Sequence, residues 1–309
     1  MAEVELFGDR LGRAVLARRS QVVLGLDPDP LALWSEALRE DSTASSGTAE
    51  RTAAAVVRHC RLVIDAAGPA CVAVKLQLAC FERLGAPGWG ALEEVAVVAR
   101  EHGLLVVADG KRGDVPVTAT AYGQALVGET PGPYGPVAGL GVDAFTANPL
   151  LGRDALEPLV EAAAAAGAGC FCLVRTSNPG AADLQDLPAP SEPLHEALAR
   201  LVAGLGEPIT ADSGLAGVGA VVGATAPGLL ARLRELMPRT VFLLPGVGAQ
   251  GGSVEALGPA FEPHPAAGLV AASRSIVGAG GNGDDDPART AQTAAFELRD
   301  AVWVVSGAG

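Results

Sequence analysis

The stretch Leu104-Leu-Val-Val-Ala-Asp109-Gly-Lys111-Arg-Gly-Asp114-Val115-Pro-Val-Thr118 decides the fold. Leu104 to Ala108 is a short apolar, β-branched run, the pattern of a parallel strand buried on both faces. Directly after it come Asp109, Lys111 and Asp114, and from Val115 the pattern turns helical. Charges crowded at the carboxyl end of a buried strand are costly unless they pair or act. On an extended strand end Asp109 and Lys111, two apart, project to the same face. Two flanking carboxylates favour the ammonium form of Lys111. That makes it a proton donor and a cation for a developing carbanion rather than a nucleophilic amine. The plainer reading is a solvated strand-to-helix turn with an incidental ion pair, and the rest of the chain weighs against it.

Outward from this stretch the same unit recurs. Strands are expected at 21–26, 71–75, 104–109, 142–146, 169–174, 218–222, 241–244 and 268–272. Helices are expected at 50–67, 88–102, 115–126, 153–166, 192–205, 227–237 and 287–304, with Pro193 tolerated in a first turn. Residues 41–47 read as a Ser/Thr/Gly linker, 128–141 as a Gly/Pro-rich loop, and 278–286 as a Gly/Asp loop. Arg175 to Gly180 leads into a polar, proline-rich, lid-like segment ending at Glu192. Strand-then-helix units at regular spacing, each polar cluster following a strand, point to a (β/α)₈ TIM barrel, an α/β fold. The chain is long enough for two small domains, but one barrel domain over residues 1–309 accounts for it. A doubly wound open sheet would carry a glycine fingerprint at the first turn, and that turn is Asp27-Pro-Asp-Pro30.

Composition narrows the function. Hydrophobic residues make up 49% and mean hydropathy is +0.32, enough for a large core. No run approaches the roughly 18 apolar residues of a membrane span. The amino terminus lacks a basic region followed by an apolar one, so no secretory signal is expected. Five cysteines, mostly inside apolar runs, fit reduced, buried residues of a cytoplasmic protein. Cys170-Phe-Cys172 is too strand-like for half a zinc site and has no second pair, so no metal is expected. The net charge of −13, without a basic face, argues against nucleic acid as a partner. A phosphorylated small molecule needs only one local cationic pocket. Of 22 Lys+Arg residues only Lys75 and Lys111 are lysines. Arginine has taken over generic surface duty, so these two are expected to do what a planar guanidinium does not, such as donating a proton.

In barrels of this kind the loops after the last two strands commonly hold phosphate. Here those loops are Pro245-Gly-Val-Gly-Ala-Gln250-Gly-Gly252 and Ser273-Arg274-Ser275. Glycines let backbone N–H groups approach an anion, Gln250 adds an amide and Arg274 a bidentate fork. Read alone, the glycine-rich stretch is a flexible loop; Arg274 at the next strand end makes it a phosphate site.

Asp109-Gly-Lys111-Arg-Gly-Asp114-Val115-Pro-Val-Thr118 resembles the Asp-x-Lys-x-x-Asp-Ile/Val-x-x-Thr signature of orotidine 5′-phosphate decarboxylases. The loop around Gln250, the Ser273-Arg274-Ser275 strand end and Thr176-Ser177-Asn178-Pro179-Gly180 are similar to that family as well. The likeness runs from Asp27 to Arg274 and is nearest to the longer bacterial subgroup. Asp-x-Lys-x-x-Asp alone is shared with sugar-phosphate relatives; with the glycine-rich loop it is specific. One departure is Leu76, which follows Lys75 where that subgroup carries proline.

The resemblance implies a charge array of Lys75, Asp109, Lys111 and Asp114. It implies that Asp114, Val115 and Thr118 reach into a partner subunit of a homodimer. Asp27 and Lys75 would address the ribose hydroxyls, Ser177 the pyrimidine, and Gln250 and Arg274 the phosphate, with Pro245 opening the phosphate loop. Residues 181–216 receive no role. Decarboxylation of orotidine 5′-phosphate to uridine 5′-phosphate, a step of pyrimidine biosynthesis, leaves an electron pair at C6 with no good delocalisation. A cation beside that carbon that also delivers a proton answers the problem, and Lys111 offers both. Asp109 beside the substrate carboxylate would also raise the ground state. Phosphate binding energy would close the loops. No cofactor is called for. The rivals are a metal-dependent sugar-phosphate decarboxylase or aldol synthase on the same barrel, and a catalytically silent nucleotide-binding barrel.

Overall fold

The computed structural model describes residues 4–38, 47–190, 192–248, 250–279 and 285–308. Eight parallel strands close a barrel in sequence order: Val22–Leu26, Ala73–Gln77, Leu105–Arg112, Ala144–Ala147, Gly169–Arg175, Val218–Val222, Phe242–Pro245 and Gly268–Ala272. The eighth strand pairs back onto the first, Val22 opposite Val270, so the barrel has no open edge. This is the expected TIM barrel.

Strand alternation sorts the side chains into two cores. Val22, Leu24, Val74, Val106, Phe145, Cys170, Phe242 and Val270 point outward and pack under the helices. Val23, Ala73, Val107, Ala144, Phe171, Val221, Leu243 and Leu269 point inward and fill the barrel. Lys75, Asp109 and Thr146 are each two residues beyond an inward residue, so the pleat that fills the barrel also aims them into its mouth.

The helix Phe7–Arg18, absent from the sequence reading, plugs the opposite end. Its buried face is Phe7, Leu11 and Val15, and Phe7 meets Phe171 edge-on at 5.9 Å between ring centres. Under the last two strands Arg234 is buried, its guanidinium 3.8 Å over the Phe242 ring. It donates to the carbonyl oxygens of Met237, Thr240, Ala260 and Ala267, closing backbone acceptors that helix and strand ends leave open. Burial pushes its pKa down to about 10, still charged at neutral pH.

Several boundaries differ from expectation. The second strand starts at Ala73 and runs on to Gln77, past Leu76, because Leu76 keeps the backbone N–H that proline would lack. Lys75 is therefore mid-strand rather than at a strand end. The third strand reaches Arg112, through the charged residues, and the fourth begins at Ala144. The helix expected from 192 begins at Leu194, with Pro193 as its N-cap, and the one expected from 227 is α-helical only over Leu230–Leu236. The 128–141 loop contains a two-stranded antiparallel ladder, Glu129–Thr130 with Val137–Ala138. Most of the 41–47 linker and the centre of the 278–286 loop lie outside the described residues, as does Ala249.

Candidate active site

The carboxyl ends of the strands surround a cavity of about 530 Å³, a size suited to a small ligand. Asp109 stands at its base, 5% exposed, and four donors converge on its carboxylate. Lys75 Nζ lies 2.9 Å and Gln77 Nε2 3.2 Å from Oδ2. Lys111 Nζ lies 2.7 Å and Thr146 Oγ1 2.9 Å from Oδ1. Burial works against the charge on Asp109, but Lys75 and Lys111 outweigh it and hold the pKa at about 2. Lys75 is buried too; desolvation disfavours its charge, and Asp109 with Asp27, the latter 3.4 Å away, more than restores it.

Lys111 reaches Asp109 by an irregular backbone. Pairing between the third and fourth strands slips between Ala108 and Arg112, and inside the slip Lys111 takes φ = 49°. The side chains share a face, as expected, but through a bulge rather than a regular strand end. A non-glycine residue at positive φ is strained and persists only when its surroundings hold it.

The phosphate-type loops sit opposite. Gly246 sits at φ = 103°, where a side chain would be strained, and a Cβ there would crowd Ser177 Cβ at 3.1 Å and Thr225 Cγ2 at 3.2 Å. The expectation that the glycines free backbone N–H groups for an anion holds only in part. The N–H groups of Gly248, Gly251 and Gly252 are bonded within the loop itself. The side chains of Gln250 and Arg274 both face the cavity. The Arg274 guanidinium makes no hydrogen bond or ion pair among the described residues, although its carbonyl oxygen accepts the Gly278 N–H at 3.1 Å. Three cations (Lys75, Lys111, Arg274) face two carboxylates (Asp27, Asp109) around the cavity, so a pocket of net positive charge sits in a protein of charge −13.

A scan of family models matches residues 20–291 to the orotidine 5′-phosphate decarboxylase / HUMPS family. The chain belongs to that family. An orotidine 5′-phosphate decarboxylase of Deinococcus radiodurans is 41% identical over 295 residues, 95% of this chain and 96% of the relative. The orotidine 5′-phosphate decarboxylase of Rhodopirellula baltica is also 41% identical, over 88% of each chain. Among solved structures, an OMP decarboxylase of Leishmania donovani superposes with a TM-score of 0.72 at 31% identity, covering 98% of this chain and 99% of that one.

Within this family member the structure brings Asp27, Lys75, Asp109, Lys111, Ser177, Pro245, Gln250 and Arg274 to one cavity. It does not bring Asp114, Val115 or Thr118 there. Asp114 Oδ1 accepts the N–H of Val115, and in its own chain Lys111 pairs with Asp109 rather than with both flanking aspartates. Val115 and Thr118 face outward.

Other site residues escaped the sequence reading. Gln77 and Thr146 carry no charge and belong to no motif used, yet both were reachable by alternation, two residues on from Lys75 and from inward Ala144. The 181–216 segment also contributes. Leu184 and Gln185 line the cavity. Gln185 Oε1 accepts the Thr176 N–H at 2.8 Å, and Arg175 grips the next residue, Asp186, with Nε and Nη2 at 2.8 and 2.9 Å. That hydrogen-bonded pairing with Arg175 keeps the Asp186 carboxyl below its usual range. His195 Nδ1 donates to the Gln185 carbonyl oxygen at 2.9 Å. Contacts so far apart in sequence give no local signal.

Proposed function

We propose that this chain decarboxylates orotidine 5′-phosphate to uridine 5′-phosphate, as a single-domain barrel of the cytoplasm that works as a homodimer. The observation that carries the reading is the pair of lysines on the two oxygens of Asp109, Lys75 buried and Lys111 exposed to the cavity. The C6–carboxylate bond breaks, carbon dioxide leaves, and the electron pair stays at C6 beside the Lys111 ammonium. Lys111 then gives its proton to C6 and is reprotonated from solvent. Asp109 fixes Lys111 in place and sets negative charge near the departing carboxylate. Asp27 and Lys75 hold the ribose hydroxyls and Ser177 the pyrimidine. Gln250 and Arg274 hold the phosphate, above the loop that Pro245 opens.

Asp114, Val115 and Thr118 act in the partner's site. Their chain context supports this. The loops after the third and fourth strands are tied by the Asn148 N–H to the Arg112 carbonyl oxygen at 2.8 Å. They expose Val115, Val117, Leu150 and Leu151, with Val117 85% exposed. An apolar rim beside Asp114 suits burial against a second copy.

The family description also covers HUMPS, the sugar-phosphate side of the same scaffold. The two functions separate in one assay. Purified protein is expected to remove the absorbance of orotidine 5′-phosphate at a rate unchanged by EDTA or added Mg²⁺. Turnover that requires Mg²⁺, or no turnover of this substrate, would favour the sugar-phosphate or silent readings.

A further inference from the structure

We infer that Thr146 is a positioning residue for this reaction, setting the place of the Lys111 ammonium through a single hydroxyl. Its side chain points into the barrel from the fourth strand and is 1% exposed. Its oxygen accepts the backbone N–H of Lys111 at 2.8 Å, and its hydroxyl lies 2.9 Å from Asp109 Oδ1. A hydroxyl has one hydrogen. Since the Lys111 N–H points at the oxygen, that hydrogen is directed to Asp109. One atom thus binds both the backbone of Lys111 and the carboxylate that holds its side chain.

The bulge gives the hydroxyl its purpose. Where pairing slips between Ala108 and Arg112, the Lys111 N–H loses its place in the strand ladder. Thr146 Oγ1 stands in for the missing carbonyl and tethers the backbone at φ = 49°. Without it Lys111 can relax toward an ordinary conformation, which redirects its side chain. Asp109 would keep Lys75 and Gln77, so the buried part of the charge array would survive while the Lys111 ammonium is loosened. Catalysis is sensitive to misplacement of this kind.

The inference rests on the decarboxylase reading, and the test separates the two. Steady-state turnover of orotidine 5′-phosphate and affinity for uridine 5′-phosphate are measured for the wild type, Thr146→Val and Thr146→Ser. Thr146→Val, close in shape, is expected to lower kcat by about tenfold or more, with KM and uridine 5′-phosphate affinity within about twofold. Thr146→Ser restores the hydroxyl and is expected to recover most of kcat. Thr146→Ala against Thr146→Ser repeats the comparison with the hydroxyl as the only difference, should the Val variant not fold. Unchanged kcat in the hydroxyl-free variants, or an equal loss in the Ser variant, would overturn the inference. A wild type that leaves orotidine 5′-phosphate untouched would instead remove the decarboxylase reading.

Discussion

Lys111 Nζ lies 2.7 Å from Asp109 Oδ1, although the strand slips register between the two residues and Lys111 is held at positive φ. The ammonium is thus held by a carboxylate whose own charge is secured by Lys75 from the other side. Such an arrangement keeps a positive charge at the cavity without leaving the buried Asp109 carboxylate unpaired.

The phosphate end of the site should contribute to more than binding. Arg274, its guanidinium uncommitted among the described residues, is expected to form a charged contact, whose loss costs roughly 1.5–3 kcal/mol, about ten- to hundredfold in kcat/KM. Arg274→Ala should raise KM and also lower kcat, because phosphate contacts drive closure as well as affinity. An unchanged KM would take Arg274 out of the site.

Sharing of the site between subunits can be tested by mixing. Lys111→Ala and Asp114→Ala should each be inactive alone and complement after subunit exchange. In a heterodimer one site collects both defects and the other is wild type. Random exchange makes about half of the dimers mixed, so about one quarter of all sites should be active. Exchange is checked by mass spectrometry of differently tagged chains. Confirmed exchange without recovered activity would place all the essential groups on one chain.

Acid should lower the stability of the fold over two successive pH windows, the first set by a group outside the site. His59 is buried, its Nδ1 accepts the Trp34 N–H, and burial pushes its pKa down to about 4. The unfolded chain takes up a proton near pH 6.5 and the folded one only near 4, so stability present above 6.5 is lost as pH falls between them. The loss is about 3 kcal/mol. Asp109, with a folded pKa of about 2 against an ordinary 3.8, adds a further loss of roughly 2 kcal/mol below pH 4. Chemical denaturation of His59→Gln should show a flatter dependence from pH 6.5 to 4 and leave the lower step in place. An unaltered slope would mean that another group carries the upper step.

The barrel was legible because buried parallel strands are short apolar runs and each is followed by polar residues that cannot be buried. Lys75, Asp109, Lys111 and Arg274 stood out because charge beside such runs is rare, and lysine is rarer still in this chain. Thr146 and Gln77 did not, since an uncharged side chain at a strand end is ordinary until its partner is known. The Phe7–Arg18 helix was readable in principle from Phe7, Leu11 and Val15 on one face. The bulge at Lys111 was not, because it depends on how the third strand meets the fourth. The grip of Arg175 and His195 on the segment around Gln185 is likewise a tertiary fact.

The measurement that bears most directly on the account is turnover by Lys111→Ala beside its affinity for uridine 5′-phosphate. The residues proposed to hold the phosphate and ribose line other parts of the cavity, so binding of uridine 5′-phosphate should stay within a modest factor of the wild type. Decarboxylation of orotidine 5′-phosphate should fall to background, because both the cation at C6 and the proton that quenches it are gone. Substantial residual turnover by a variant that still binds the product would contradict the account and assign the proton to another group.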